Sequence, residues 1–378
     1  MINCITCKRG FEQSAKTLDL CEKIGIPSSN ECFECRTAHK LAFRNERTLY
    51  PGTCKLCNRS IITLYHPRSP IITYCQECWW SDTWDPLEFG LALDSDRSFF
   101  DQYQELQARV PHIAMMNRGG ENSEYCNYTL KNKNCYLIFG GDYNENCYYG
   151  TYPFNSKETM ESYWLERCER CYEILDSEDC YRVVHARYCR GCSDSWFLFD
   201  CRDCQNCFGC IGLRSKQYHI FNTPYSKEEY EERVAEYQLG TRAGFARAQA
   251  EAERFIKTQP HAFARILKSQ DVTGDDIRGC NNLENCFDMN EGCENIANSM
   301  FAAGKSVDCV DSVIMVENSS LIGNSMGIPG GYHIVGGNIC WFDREVYYSH
   351  FVVSSQNCFG CISLNKKQYC ILNRQYTQ

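Results

Sequence analysis

No uninterrupted apolar run in the sequence approaches the ~18 to 20 residues that a membrane span requires. The first residues, Met1-Ile-Asn-Cys-Ile-Thr-Cys, lack the charged-then-apolar order of a secretory signal. Membrane and secreted classes both lose support. Positive charge is also short: 39 Lys and Arg face 48 Asp and Glu, a net charge of -9. That balance argues against a protein that coats nucleic acid without specificity, although it leaves room for a local basic patch. Catalytic signatures are missing as well. There is no G-x-S-x-G, no G-x-G-x-x-G and no P-loop, and His185, His219, His333 and His350 stand isolated. At 378 residues, 23% charged and 43% hydrophobic, the chain is not disordered and has room for two or three domains.

What is abundant is cysteine, with 29 residues. The count is odd, the chain is long, and many Cys fall in C-x-x-C pairs, which points to metal and a reducing compartment rather than to a disulfide framework. Cys54/Cys57 and Cys75/Cys78 are separated by 17 residues, inside the window for a Cys4 zinc site. Two such knuckles turn four thiolates toward one point, the tetrahedral set that Zn(II) takes. Cys4/Cys7 and Cys32/Cys35 are separated by 24 residues, and a short helix around 17–23 fills the gap of a second site. Cys21 reads as a buried apolar residue. His39 and His66 read as surface histidines.

Residues 36–68 carry Arg36, Lys40, Arg44, Arg47, Lys55, Arg59 and Arg68 against one acid, Glu46. The first six are candidates for contact with a nucleic acid or other partner. The alternative is a solvated face, paired with the acidic stretch Asp82, Asp85, Glu88, Asp94 and Asp96. Trp79, Trp80 and Trp84 read as core anchors.

Two periodicities follow. Cys126, Cys147, Cys168, Cys189 and Cys210 lie 21 residues apart, and all twelve Cys from 126 to 210 are separated by multiples of three. A fixed period of ~20 residues predicts a solenoid. Runs rich in Tyr, Phe, Ile and Val, divided by Gly, Asn and Asp, favour strands. The expected fold is therefore mainly β: a zinc-ribbon or treble-clef module at 1–80, a helical connector at 81–118, a β-solenoid section at 119–224, a helical insertion at 225–272, and a second section at 273–378. About 21 residues per rung are expected, with a right-handed coil as the default. Ser98 to Val110 reads as an amphipathic helix stopped by Pro111, and Ser226 with Glu229 as a capping box. Gly327 to His333 and Val335 to Asn338 read as corners. Cys293 and Cys309 do not fit the rung spacing.

A duplication links the sections. Gln205-Asn-Cys-Phe-Gly-Cys-Ile matches Gln356-Asn-Cys-Phe-Gly-Cys-Ile at an offset of 151. The first copy runs on into the capped helix and the second stops at Gln378, so the second section reads as truncated.

The solenoid thiols admit three readings. The run Cys201, Cys204, Cys207 and Cys210 invites an iron–sulfur cluster, but its last step is x2 where the ferredoxin run has x3, and Ile211 replaces Pro. A cluster is disfavoured. Cys168/Cys171 and Cys189/Cys192, one expected rung apart, offer a cross-rung metal site. The third reading is a ladder of small apolar thiols in a narrow core. About two Zn ions are expected in the N-terminal module, with more only if the solenoid thiols bind metal.

Leu41-Ala-Phe-Arg-Asn-Glu-Arg-Thr-Leu-Tyr, Tyr74-Cys-Gln-Glu-Cys-Trp-Trp-Ser-Asp-Thr-Trp-Asp-Pro-Leu, Asn134-Cys-Tyr-Leu-Ile-Phe and Gln205-Asn-Cys-Phe-Gly-Cys resemble a family of uncharacterised Cys-rich zinc-binding proteins, zinc ribbon plus repeat, of candidate phyla radiation bacteria. The resemblance covers nearly the whole chain. It implies N-terminal zinc knuckles and a reducing bacterial cytoplasm, and implies no activity. This sequence departs from it in lacking C-x-x-C members around 155–162. The functional expectation is a non-catalytic scaffold that contacts a protein or a nucleic acid, with a metal-dependent or redox enzyme built on Cys168 to Cys210 as the alternative.

Overall fold

A computed structural model describes the chain except residues 303, 317, 318, 330 and 332, and leaves aside the side chains of 165, 166, 316, 328 and 329. The chain opens with a small hairpin, Ile2–Asn3 against Gly10–Phe11. Helix α1 (Ala15–Ile24) and helix α2 (Phe33–Ala42) follow. Ser14 starts α1 by accepting the Thr17 N–H, and Gly25 ends it at φ 78°, a left-handed turn that glycine takes without a Cβ clash. A second hairpin, Tyr50–Thr53 against Ser60–Thr63, precedes the short helix α3 (Gln76–Trp79). The expected connector helix is α4 (Phe99–Arg109), entered from Ser98.

From residue 117 the backbone adopts a three-residue rhythm. Tyr128, Lys131, Asn134, Leu137, Gly140, Tyr143, Asn146 and Tyr149 all have φ between 48° and 73°, and the pattern continues to Phe221 with few interruptions. A left-handed residue costs a non-glycine ~1 to 2 kcal/mol, so bulky residues hold it only where the surroundings repay it. Repayment comes from the next residue, which points inward. Cys126, Thr129, Asn132, Cys135, Ile138, Asn144 and Cys147 are all buried.

Four triads bring the chain back alongside itself. Thr151 pairs with Tyr163 and Tyr163 with Leu175, in parallel, and Tyr181 pairs with Ser193 and Ser193 with Gln205. The register is twelve residues, not the expected 21. The 21-residue Cys spacing is a multiple of the triad and does not mark strand partners. Strands from 117 to 220 stack in parallel, and strands from 266 to 371 form a second parallel stack. In the second stack the register opens at eleven, Gln270 with Asn281, shifts to twelve at Gly274 with Cys286, and reaches thirteen at Asn281 with Glu294 and Glu294 with Val307. It returns to twelve at Met326 with Asn338. One extra residue per lap is why Cys293 and Cys309 fall outside a strict repeat. Of the two expected corners, Met326–Pro329 is a strand, and the rest of 327–333 includes residues 330 and 332, outside the described set. Val335 pairs with Gly323 and Tyr347.

The inward positions hold Cys, Ser, Thr, Val and Ala together with Ile, Leu and Met. Serine holds successive laps together. Ser195 Oγ donates to Ser193 O at 2.7 Å and accepts the Cys207 N–H at 3.0 Å. Ser349 Oγ donates to Tyr347 O at 2.8 Å and accepts the Cys361 N–H at 3.0 Å.

Both stacks end the same way, as the duplication requires. Gln217–Ile220 turns back on Thr223–Pro224, and Gln368–Ile371 on Arg374–Gln375, each as an antiparallel pair. Asn222 accepts the Ile211 N–H at 3.0 Å and donates to Ile211 O at 2.9 Å. Asn373 does the same to Ile362, at 2.8 Å both ways. Each amide stands in for one more strand residue and closes an edge that would otherwise template pairing with another chain. Asn373→Ala is expected to cost about 2 kcal/mol, because two enclosed backbone groups lose their partners. Thermal melting checks the loss.

The first stack is covered by α5 (Lys227–Ala235) and α6 (Arg242–Thr258), with the Ser226/Glu229 capping box in place. Phe208 packs on Tyr237. On the second stack Phe359, the counterpart of Phe208, packs on Phe99 of α4, and Leu106 joins Ile362 and Leu372. The equivalent face is thus covered by a helix from earlier in the chain. The stacks meet through ion pairs, among them Arg265 with Asp176 at 2.9 Å and Arg278 with Glu178 at 3.0 Å.

His112 is buried against His350, with Tyr65 at Nδ1 and the Gln107 carbonyl at Nε2. Burial pushes its pKa down to about 3. The unfolded chain therefore binds this proton more readily, and the stability is complete above ~6.5 and lost as pH falls toward 3. By pH ~5 the loss is about 2 kcal/mol. His112→Gln is expected to flatten the melting temperature between pH ~6.5 and ~5 relative to the wild type.

Candidate metal centres

The two N-terminal Cys sets assemble as expected. In each of Cys4, Cys7, Cys32, Cys35 and Cys54, Cys57, Cys75, Cys78, the four Sγ atoms lie within 4.8 Å of one another. A regular tetrahedron with ~2.3 Å metal–sulfur bonds has sulfur–sulfur edges of about 3.8 Å. Cys7 and Cys32 are 3.7 Å apart and Cys57 and Cys75 are 3.8 Å apart. These two edges match those of a tetrahedral all-sulfur site, so the donor sets could hold a metal ion.

The two centres are built alike. A hairpin presents the first pair: Cys4 N–H donates to Arg9 O and Lys8 N–H to Cys4 O, both at 2.9 Å. Cys54 with Arg59, and Asn58 with Cys54, repeat these bonds at the same length. Lys8 and Asn58 take the left-handed conformation, φ 63° and 60°, which folds the knuckle. The second pair sits on a helix start. Cys32 is the residue before α2 and Cys75 the residue before α3. Cys32 N–H donates to Cys4 Sγ at 3.4 Å and Cys75 N–H to Cys54 Sγ at 3.2 Å.

Arginine completes each knuckle. Arg9 Nε reaches Cys7 Sγ at 3.4 Å and Arg59 Nε reaches Cys57 Sγ at 3.3 Å. The Arg59 guanidinium is the main cause that holds Cys57 at about 6. At Cys4, burial pushes the thiol up, but the N–H groups of Cys32, Cys7 and Thr6 outweigh it and leave about 6. Burial and the neighbouring sulfurs push Cys35 up to about 12. Arg9 escaped the sequence reading, although Cys-x-x-Cys-x-Arg occurs at both 4–9 and 54–59.

The remaining candidates fall elsewhere. Arg36 and Lys40 are buried and share Asp311, at 2.8 and 3.9 Å. Arg44 pairs with Glu46 at 2.6 Å and lies over the Tyr128 ring, and Arg47 reaches Thr151 and Phe139. These four contact the two stacks, Arg36 and Lys40 from buried positions and Arg47 from an exposed one. Their partners are not the acidic stretch 82–96. Lys55 and Arg59 are exposed. His39 and His66 are on the surface, and Cys21 is buried with Leu20, Ile24, Ala297 and Val310. Trp79 is buried against Phe351 of the second stack.

Cys168, Cys171, Cys189, Cys192, Cys201, Cys204, Cys207 and Cys210 are buried in one cluster with Ile174, Val183 and Leu198. Among the described residues they form no group of three or more ligand atoms within 4.8 Å of one another. Their sulfurs face carbonyls instead. Cys192 Sγ donates to Arg190 O and Cys201 O, each at 3.4 Å, and Cys201 Sγ to Phe199 O and Cys210 O, each at 3.5 Å. Inward serines use the same carbonyl two residues back, so the two residue types are interchangeable here.

No family model matches the chain, and no curated protein matches it. Among solved structures, a provisionally described acetyltransferase from Desulfovibrio desulfuricans G20 overlaps 60% of this chain at 10% identity, with a TM-score of 0.13. This chain spans 63% of that one. An overlap this weak carries no argument about fold or activity. Among the described residues no helix is long and apolar enough to cross a membrane.

Proposed function

We propose that the chain is a non-catalytic zinc-binding scaffold. The observation that carries this reading is the pair of matched thiol tetrads with sulfur–sulfur edges of 3.7 and 3.8 Å. Each is read as a treble-clef site, a hairpin knuckle facing the first turn of a helix, with one zinc ion. All-sulfur tetrahedral sites with no open position are structural. The two parallel stacks are read as β-solenoids with four three-residue sides. The left-handed residue at every third position and the parallel register support that reading. The zinc modules then act as clamps: α1 lies on Ala297 and Val310, and Trp79 on Phe351 of the second stack.

The resemblance to the Cys-rich family and the abundance of reduced thiols support a reducing bacterial cytoplasm. The long solenoid surfaces suit a protein partner. A nucleic acid partner has less support, because Arg36, Lys40, Arg44 and Arg47 are engaged within the fold. Elemental analysis of protein purified without added metal, with a thiol count on the same sample, tests the proposal. About two zinc ions per chain and reactive thiols in the denatured state are expected. Stoichiometric iron, or zinc at three or more per chain, overturns it in favour of a metal-dependent or redox enzyme built on Cys168 to Cys210.

A further inference from the structure

One outward row of the first stack lies under helices along part of its length only. Tyr136, Tyr148, Met160 and Tyr172 stand in register on successive laps, and the row runs on to Trp196 and Phe208. Phe245 of α6 packs on Trp196, Tyr237 packs on Phe208, and Ala248 and Ala252 join the same cluster. The earlier laps are bare. Tyr136, Tyr148 and Met160 are 38%, 40% and 41% exposed. Tyr125 and Tyr149, exposed as well, have their ring centroids 5.3 and 5.7 Å from that of Tyr136.

The second stack shows what closes such a row. At the offset of 151, Phe208 corresponds to Phe359. From Phe359 the equivalent row runs back through Tyr347, Val335, Gly323, Val310 and Ala297. Helix α1 packs Leu20, Cys21 and Ile24 against Ala297, Val310, Val335 and Tyr347, and α4 packs Phe99 on Phe359. Helices from elsewhere in the chain thus cover this row at both ends. On the first stack the laps of Tyr136, Tyr148 and Met160 carry no helix among the described residues.

Size and charge narrow what docks there. Strand partners on neighbouring laps lie ~4.8 Å apart, so the strip from the lap of Tyr125 to that of Tyr172 is about 19 Å long, and a side of three residues is about 10 Å wide. A helix is ~10 to 12 Å across and rises ~1.5 Å per residue, so about 13 helical residues fill it. The footprint of about 200 Å² is far below the ~800 Å² per partner of a stable interface, which argues against a second copy packed flat on it. The outward positions of this side, 124–125, 136–137, 148–149, 160–161 and 172–173, hold three Glu and no Lys or Arg. Glu173 is taken by His185 at 2.9 Å, while Glu124 and Glu161 are exposed. A helix with an apolar stripe and basic flanks matches both features. Helix α6 is itself of this kind. Phe245, Ala248, Ala252 and Phe255 recur at steps of three and four, and Arg242–Thr258 carries four Lys or Arg against two Glu.

We propose that this strip docks a short basic amphipathic helix of a partner protein. The inference deepens the scaffold reading and is separable from it, because metal content tests that reading and helix binding tests this one. The probe is a labelled synthetic peptide of the α6 sequence, 242–258, titrated against the full chain by fluorescence anisotropy. A peptide of the same composition in scrambled order is the control. Saturable binding of the α6 peptide is expected, with affinity about tenfold weaker for the scrambled peptide and for Tyr148→Ser. Tyr148 is exposed, so Tyr148→Ser should keep the metal content and melting temperature of the wild type, and Tyr136→Ser serves if it does not. The proposal is overturned if the α6 peptide does not bind, if the scrambled peptide binds as well, or if the variant binds as the wild type does. It is also overturned if sedimentation shows the chain associating with itself and Tyr148→Ser abolishing that association, which would make a second copy the occupant.

Discussion

Cys54→Ala is expected to lower bound zinc from about two ions per chain to about one and to unfold the second module. Cys54 is fully enclosed, and its sulfur receives the Cys75 N–H. A module whose strands are four residues long cannot bury enough apolar surface to fold on its own. Structural zinc supplies ~10 to 16 kcal/mol to such units, so the loss of one ligand removes several kcal/mol. The damage extends to the second stack. Trp79, Tyr74 and Ile113 are packed with Ile339, Phe351 and Val353, and a melted module exposes that face. Tryptophan emission should shift to the red as Trp79 meets water, and the melting temperature should fall. Cys21→Ala provides the contrast. Cys21 is as buried as many ligands but lies among Leu20 and Ile24. Its loss should cost about 1 kcal/mol with both zinc ions retained. Elemental analysis beside thermal melting separates the two, and full zinc content in Cys54→Ala would refute the assignment.

The two thiol tetrads were legible because a knuckle is local. Four thiols, their spacing and a following helix are all written within 80 residues. The stacks were legible in kind and not in register. The multiples of three reflect one inward residue per triad, and that rhythm is visible in cysteine alone. The lap length is not, because cysteine shares its inward positions with Ser, Thr, Val, Ile, Ala and Asn. Each lap shows only some of its thiols, and steps of 21 stand out as readily as true neighbours. A better signal was present. Cys135 and Cys147, Cys168 and Cys180, and Cys192 and Cys204 are all twelve apart. Glu121, Lys133, Glu145 and Lys157 follow the same step as an alternating charge ladder, with Lys157 bonded to Glu145 at 3.4 Å. The roles of Arg36 and Lys40 were not legible. Their partner, Asp311, comes from the far end of the fold, and no local pattern announces a contact across such a separation. The same holds for the cover of the second stack, where α4 occupies the face that the duplication assigned to a later helix.

The thiols of the first stack are expected to respond to size and not to metal chemistry. Cys204 is almost fully enclosed, and its Sγ donates to Arg202 O at 3.2 Å. Ser195, at another inward position of the same stack, makes the equivalent bond with a hydroxyl. Cys204→Ser should therefore keep the bond, lose a little apolar contact and cost about 1 kcal/mol. Zinc content should be unchanged. Cys204→Phe should cost about 3 kcal/mol or more, because a closely packed interior accepts an aromatic ring only by forcing neighbours off their rotamers. With four inward residues per lap and a further lap on either side, the ring has no unfilled space to enter. At ~2 to 4 °C per kcal/mol for a domain of this size, the two variants should differ by at least several degrees in melting temperature. The ordering carries the test. A metal site would be ruined by serine, which is a poor ligand for a soft ion, and zinc or iron would be released. A packed thiol ladder tolerates serine and rejects phenylalanine.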